Sequence, residues 1–150
     1  MMKHTILILF LFLSLLCHGQ SYKFFTTDRE LSSSLINKIY QDRNGMIWIA
    51  TEDGLNRYDG AKFITYKHDP ENEYSLCHNY VRVLYEDSKG RLFVGTYNGI
   101  QLYDPETDSF SARAQWEDGK TFDSNIMSLL ARRNGEIWGA GNNVCTITIT

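Results

Sequence analysis

Two pairs of adjacent carboxylates, Glu52-Asp53 and Glu86-Asp87, are the first residues in this chain that could do chemistry. Acid pairs carry glycoside hydrolysis, but that reaction needs the two carboxyl groups on opposite sides of a cleft, roughly 5 to 9.5 Å apart. Adjacent residues in a strand or turn point away from each other, so both pairs read as solvated turn acids. His68 and His78 are too sparse for a metal cage, and Cys77-His78 is poor ligand spacing, so no metal is expected. No phosphate-cradling glycine loop occurs, and no cofactor is expected. The chemistry that remains is recognition. Asp53, His78, Asn79, Tyr97, Asn98 and Asn142 combine carboxylate, imidazole, amide and phenol groups. Such a set suits sugar hydroxyls: Tyr97 could stack on a ring face, and Asn98 could donate and accept. Whether these residues meet depends on the elements that carry them.

Those elements are short. The stretch DRNGMIWIATEDGLNRYDG, residues 42–60, holds Asn44-Gly45, Asp53-Gly54 and Asp59-Gly60. Asn-Gly and Asp-Gly are strong hairpin signals, because both central residues of the tightest hairpin turns take positive φ. Between the turns, residues 46–51 are apolar, β-branched or aromatic and about strand length. With residues 35–40, 55–58 and 62–66 they make a unit of four short strands.

The unit recurs every 45 residues. Gly45, Gly90 and Gly135 keep that step, as do Trp48, Phe93 and Trp138. So do Ile36, Val81 and Ile126, and Ala50, Gly95 and Ala140. Gly54 matches Gly99, and Tyr58-Asp59 matches Tyr103-Asp104. In the third copy Asn143 keeps register, but Val144 replaces the glycine. Four strands in such a period is a β-propeller blade. A blade has two apolar faces and buries them only by stacking on its neighbours. The expected fold is therefore all-β: a partial propeller of about three antiparallel blades at 35–67, 80–113 and 125–150, the last incomplete. The repeated aromatics are expected to pack between blades.

Residues 20–34 precede the first blade. Within them Lys23-Phe24-Phe25-Thr26 resembles Lys62-Phe63-Ile64-Thr65 and reads as an orphan outer strand. Propellers use about four to eight blades, so an orphan strand and an unfinished blade suggest the N-terminal fragment of a longer protein. Alternate connections of an up-and-down blade share one rim. That rim is expected to gather Ser33-Ser34, Glu52-Asp53, His78-Asn79, Tyr97-Asn98, Asp123-Ser124 and Asn142-Asn143.

The chain starts with Lys3, then an apolar run over residues 6–17, then Cys17-His18-Gly19. The run is short for a membrane span, which takes about 20 residues. Residues 1–19 read as a secretory signal peptide, with an uncleaved anchor as the rival reading. Removing them takes one base and no acid from 15 basic and 18 acidic residues. A chain this acidic, without a basic patch, does not suit nucleic acid. Cys77 and Cys145 fall at different repeat positions and are expected as buried thiols, a single disulfide being the alternative.

The copies at 35–59 and 79–104 resemble the two-component regulator propeller repeat, with its D-x-x-G-x-I/L-W core and G-T-x-x-G-L-x-x-Y/F-D tail. The second copy carries Gly95-Thr96, Gly99 and Tyr103-Asp104 at the matching places. The first has Ala50 for a glycine, and the third has Arg132 for the acid. The resemblance implies the periplasmic sensor region of a Bacteroides-type hybrid histidine kinase, anchored in the inner membrane and responding to glycan fragments. The chain has no kinase part, so no enzyme activity of its own is expected. The partners expected are a small-molecule or oligosaccharide ligand, the remaining blades and downstream kinase module of a longer parent, and a second copy in a parent homodimer. The alternatives are a fragment of a secreted propeller enzyme acting on polysaccharide, and a protein-binding propeller scaffold.

Overall fold

The computed structural model describes residues 22–27, 30–111, 123–133, 136–141 and 144–147, the last four by backbone alone. Residues 1–19, Gly135 and Asn142 lie outside the described residues. Eleven strands form three antiparallel sheets, each a meander of sequential neighbours. The first sheet holds β1 (Ile36–Gln41), β2 (Ile47–Thr51), β3 (Gly54–Tyr58) and β4 (Phe63–Tyr66). The second holds β5 (Val81–Glu86), β6 (Leu92–Thr96), β7 (Gly99–Asp104) and β8 (Ser109–Phe110). The third holds β9 (Ile126–Ala131), β10 (Ile137–Gly141) and β11 (Val144–Ile147). Among the described residues no helix is long and apolar enough to cross a membrane.

Register follows the repeat. Trp48 pairs with Tyr40 and Arg57, Phe93 with Tyr85 and Leu102, and Trp138 with Leu130 and Thr146. The inner strands β1 and β5 shift register at the same place, between Ile36 and Lys38 and between Val81 and Val83. The sheets stack face to face. Trp48, Ala50 and Leu55 of the first bury against Val81, Leu84, Leu92, Val94, Tyr103 and Phe110 of the second, with Leu76 of the intervening link. Phe93 and Ile100 of the second bury against Ile126 and Ile137 of the third. This is a partial β-propeller.

The turns differ from the sequence expectation. Gly45, Gly54, Gly90 and Gly99 have φ between +84° and +129°, but the residue before each (Asn44, Asp53, Lys89 or Asn98) does not share it. The Gly45 N–H donates to the Asp42 carbonyl at 3.0 Å, and the Asp42 N–H donates to the Met46 carbonyl at 3.0 Å. That is a type I turn closed by one left-handed glycine. It matches strand twist as well as a turn with two positive φ angles, and it spares Asn44 the strained conformation.

Lys23 to Thr26 form no strand. Among the described residues this segment pairs with no strand. It lies on the outer edge of the first sheet instead, where Phe25 packs 5.1 Å from Tyr58 and 4.9 Å from Phe63. The third aromatic also departs from expectation. Trp48 and Phe93 are 1% and 0% exposed, while Trp138 is 38% exposed, because among the described residues no sheet stacks on its side.

Candidate functional site

The acids of the repeat build turns and join blades. Asp42 Oδ1 accepts from the Asn44 and Met46 N–H groups at 2.9 and 3.0 Å, and Oδ2 accepts from Trp48 Nε1 at 2.8 Å. Asp87 does the same for Lys89 and Arg91, both at 2.9 Å, and its other oxygen pairs with Arg91 Nε at 2.7 Å. Burial raises the Asp87 pKa, but the bonds to Arg91 and Lys89 outweigh it and hold the carboxyl below the usual range. Glu86 reaches the first blade: it pairs with Arg43 Nε at 2.7 Å and accepts from the Tyr40 hydroxyl at 3.0 Å. Glu86 and Asp87 are thus nearly buried and fully engaged. The expectation of solvated turn acids fails here, because turn N–H groups and a neighbouring arginine supply donors that water would otherwise provide.

A second cluster latches the first two blades near their outer strands. Asp108 Oδ1 accepts from Arg57 at 2.8 Å and from the Tyr66 and Tyr103 hydroxyls at 2.6 Å each. Arg57 also bonds the Tyr103 hydroxyl and lies 5.6 Å from the Trp48 and Tyr66 ring centroids. Burial works to raise the Asp108 pKa, yet the two phenols and Arg57 bring it below the usual range. Burial and the same carboxylate push Tyr103 up to about 12. Since Asp108 titrates below its unfolded value, its contribution is complete above that value and fades as pH falls through the folded one.

The rim predicted for binding is built by the β2–β3 turn, the β6–β7 turn and the link into β5. Thr51 and Thr96 fix the two turns. Each hydroxyl accepts from an N–H two residues on, Asp53 at 3.2 Å and Asn98 at 3.0 Å, and donates to the carbonyl of Gly54 or Gly99. Asp53 pairs with Lys67 at 2.6 Å and accepts from Asn79 Nδ2 at 3.2 Å. Asn79 also takes the His68 N–H at 2.7 Å, and its carbonyl takes the Gly54 N–H at 2.7 Å. Asp53 and Asn79 therefore clamp one blade to the next. His78 lies 5.5 Å from Tyr97 ring to ring, and its Nδ1 accepts from the Tyr80 N–H at 2.9 Å. Burial, with His68 nearby, lowers the His78 pKa, which keeps the ring neutral and Nδ1 an acceptor. Asn98 stands on the same turn as Tyr97, half-buried.

The structure thus brings together Asp53 with Asn79, and His78 with Tyr97. It also adds residues that the sequence reading missed. Tyr80 donates to Glu52 Oε1 at 2.7 Å, so Glu52 and Asp53 serve different partners. Arg82 lies over the Tyr80 ring at 4.5 Å and 6.0 Å from Tyr97. Tyr97 is 53% exposed. Asn56 and Gln101 were missed as well. Each is a buried amide tying the link before or after its blade to the sheet, as when Gln101 Oε1 takes the Cys77 N–H at 2.7 Å. Their shared step of 45 was the available signal. Cys77 is buried, with Sγ 3.1 Å from Thr96 Oγ1. No group of side chains that could hold a metal occurs among the described residues.

Two stretches of the chain, 30–53 and 75–98, match the family described as two component regulator propeller. Histidine kinase P4 of Formosa agariphila is 40% identical over 73 residues, which cover 46% of this chain and 5% of that protein. The extracellular domain of the hybrid two-component system BT3049 from B. thetaiotaomicron superposes with a TM-score of 0.67 and 28% identity, over 79% of this chain and 17% of that one. The extracellular domain of BT4673 from the same organism gives 0.67 at 20% identity, over 85% and 18%. PorZ, a surface component of the type-IX secretion system of Porphyromonas gingivalis, gives 0.58 at 18% identity, over 82% and 19%. At those last two identities the likeness is one of fold. The chain spans less than a fifth of the length of any of these proteins.

Proposed function

This chain is built on repeats of the two-component regulator propeller, and on that premise we propose that it is part of the extracytoplasmic sensor of a two-component regulatory system. In this reading residues 1–19 export it to the periplasm. The rim around Asp53, His78, Asn79, Tyr97 and Asn98 meets a glycan fragment. Further blades of a longer parent cover the open flanks, and a kinase module of the parent, anchored in the inner membrane, carries the signal on. The chain itself does no catalysis, since its carboxylate pairs are committed to turns and blade contacts.

The observation that supports this reading most is the pair of repeat matches in register, joined to 28% identity with the extracellular domain of a hybrid two-component system. The test is titration calorimetry of the parent's extracytoplasmic region against a panel of oligosaccharides, with autophosphorylation of the parent as second readout. Saturable binding that changes phosphorylation, weakened about tenfold by Tyr97→Ala, is the expected result; loss of one stacked ring face is worth that order. Cleavage of a glycan by this region, or binding with no effect on phosphorylation, would overturn it.

A further inference from the structure

Residues that recur at every 45th position serve the propeller itself, so rim positions that differ from blade to blade are where a specific task is expected. The second blade has such a place. Arg82 stands where the first blade has Asn37 and the third has Met127. Tyr80 stands where they have Leu35 and Asn125, and His78 where they have Ser33 and Asp123. Tyr97 replaces Glu52 of the first blade. The four substituted positions meet in space. Arg82 lies 4.5 Å from the Tyr80 ring centroid and 6.0 Å from that of Tyr97, and His78 lies 5.5 Å from Tyr97 ring to ring.

Arg82 lies at the register shift that opens β5, half-buried beside the rim. Its Nε is buried and has no hydrogen-bond partner among the described residues. A guanidinium carries five donors in a fixed fork, and a buried donor left unpaired costs stability. The carboxylate that meets the Tyr80 hydroxyl does not answer it. Glu52 is engaged by the Tyr80 hydroxyl, and among the described residues Arg82 forms no ion pair. Ring stacking holds the guanidinium plane in place while leaving its donors without an acceptor. The partner that completes such a fork is a planar or tetrahedral oxyanion.

We propose that Arg82 is the anion-recognising residue of the rim, and that the rim binds an acidic sugar whose carboxylate or sulfate pairs with the Arg82 fork while its ring lies on the exposed face of Tyr97. This rests on the rim being the ligand site and adds the charge class of the ligand. The neutral His78 ring supplies a flat wall beside Tyr97, and the Asn98 amide stands on the same turn.

The test is calorimetric titration of the full chain with three probes of equal length: a tetragalacturonate, a sulfated galactotetraose and a neutral galactotetraose. Binding of either charged probe at least tenfold tighter than the neutral one is expected, and which charged probe wins identifies carboxylate or sulfate as the group. Arg82→Gln should abolish that preference, and Arg82→Lys should restore part of it. Raising salt should weaken the charged probe alone. Circular dichroism of each variant controls for folding. Equal binding of charged and neutral probes, or an Arg82→Gln variant that keeps the preference, overturns the proposal and leaves the rim as a site for neutral sugars. Binding of none of the three overturns this proposal and the glycan-sensing reading together.

Discussion

Gly95 lies where the second sheet meets Ile126 of the third. A Cβ built there would stand 2.5 Å from Val83 Cγ1 and 2.9 Å from Ile126 Cγ2. The other copies have alanine at this position, opposite Lys38 and Ser128, which are exposed. Gly95→Ala should therefore cost about 1–3 kcal/mol by overpacking. Gly45→Ala meets open space but must hold φ at +84°, which costs about 1–2 kcal/mol. Urea unfolding distinguishes the two mechanisms: Val83→Ala should recover part of the Gly95→Ala loss and none of the Gly45→Ala loss. A Gly95→Ala variant as stable as the parent would contradict the contact. Residues like Gly95 were legible in the sequence only as members of the repeat. Arg82 and Tyr80 were not legible at all, because a residue that breaks a period gives periodicity nothing to detect. Their meaning came from the rings that β5 and the β6–β7 turn bring together.

At the level of strands and turns, most of the architecture could be read in advance. Hairpin glycines and apolar runs mark where β1 to β11 fall, and the 45-residue step sets which faces meet. What failed was the assignment that depended on a partner: residues 23–26 have strand composition but pair with no strand among the described residues. The turn acids were misjudged for a related reason, since the donors that capture Glu86 belong to a different blade. The same logic separates the two indoles. Trp48 fills the first interface against Tyr66 and Tyr103, 5.9 and 4.7 Å away by ring centroid. Trp48→Ala should cost about 3–5 kcal/mol. Trp138 lies on an open face, and Trp138→Ala should cost under about 1 kcal/mol. Equal losses in a denaturant titration would mean that Trp138 is covered in solution.

Across the molecule, stacking leaves two apolar flanks. Ile36 and Ile39 occupy the positions of Val81 and Leu84, which are buried one blade on, yet Ile39 is 59% exposed. On the opposite flank Met127, Leu130 and Trp138 are exposed. Contiguous apolar surface of this kind drives association. Sedimentation velocity of the isolated chain should show concentration-dependent self-association, and the double substitution Ile39→Lys with Trp138→Lys should suppress it. A monomeric parent chain at all concentrations would refute this.

The two seams between sheets are built from different materials. The first joins a ten-residue apolar cluster to the Arg43–Glu86 and Arg57–Asp108 pairs; the buried part of the second is the quartet Phe93, Ile100, Ile126 and Ile137. Disassembly then has a direction. From the contacts of the described residues, the third sheet is expected to peel away while the first two remain zipped, so the pair that carries the Arg82 rim should outlast its neighbour under heat or strain.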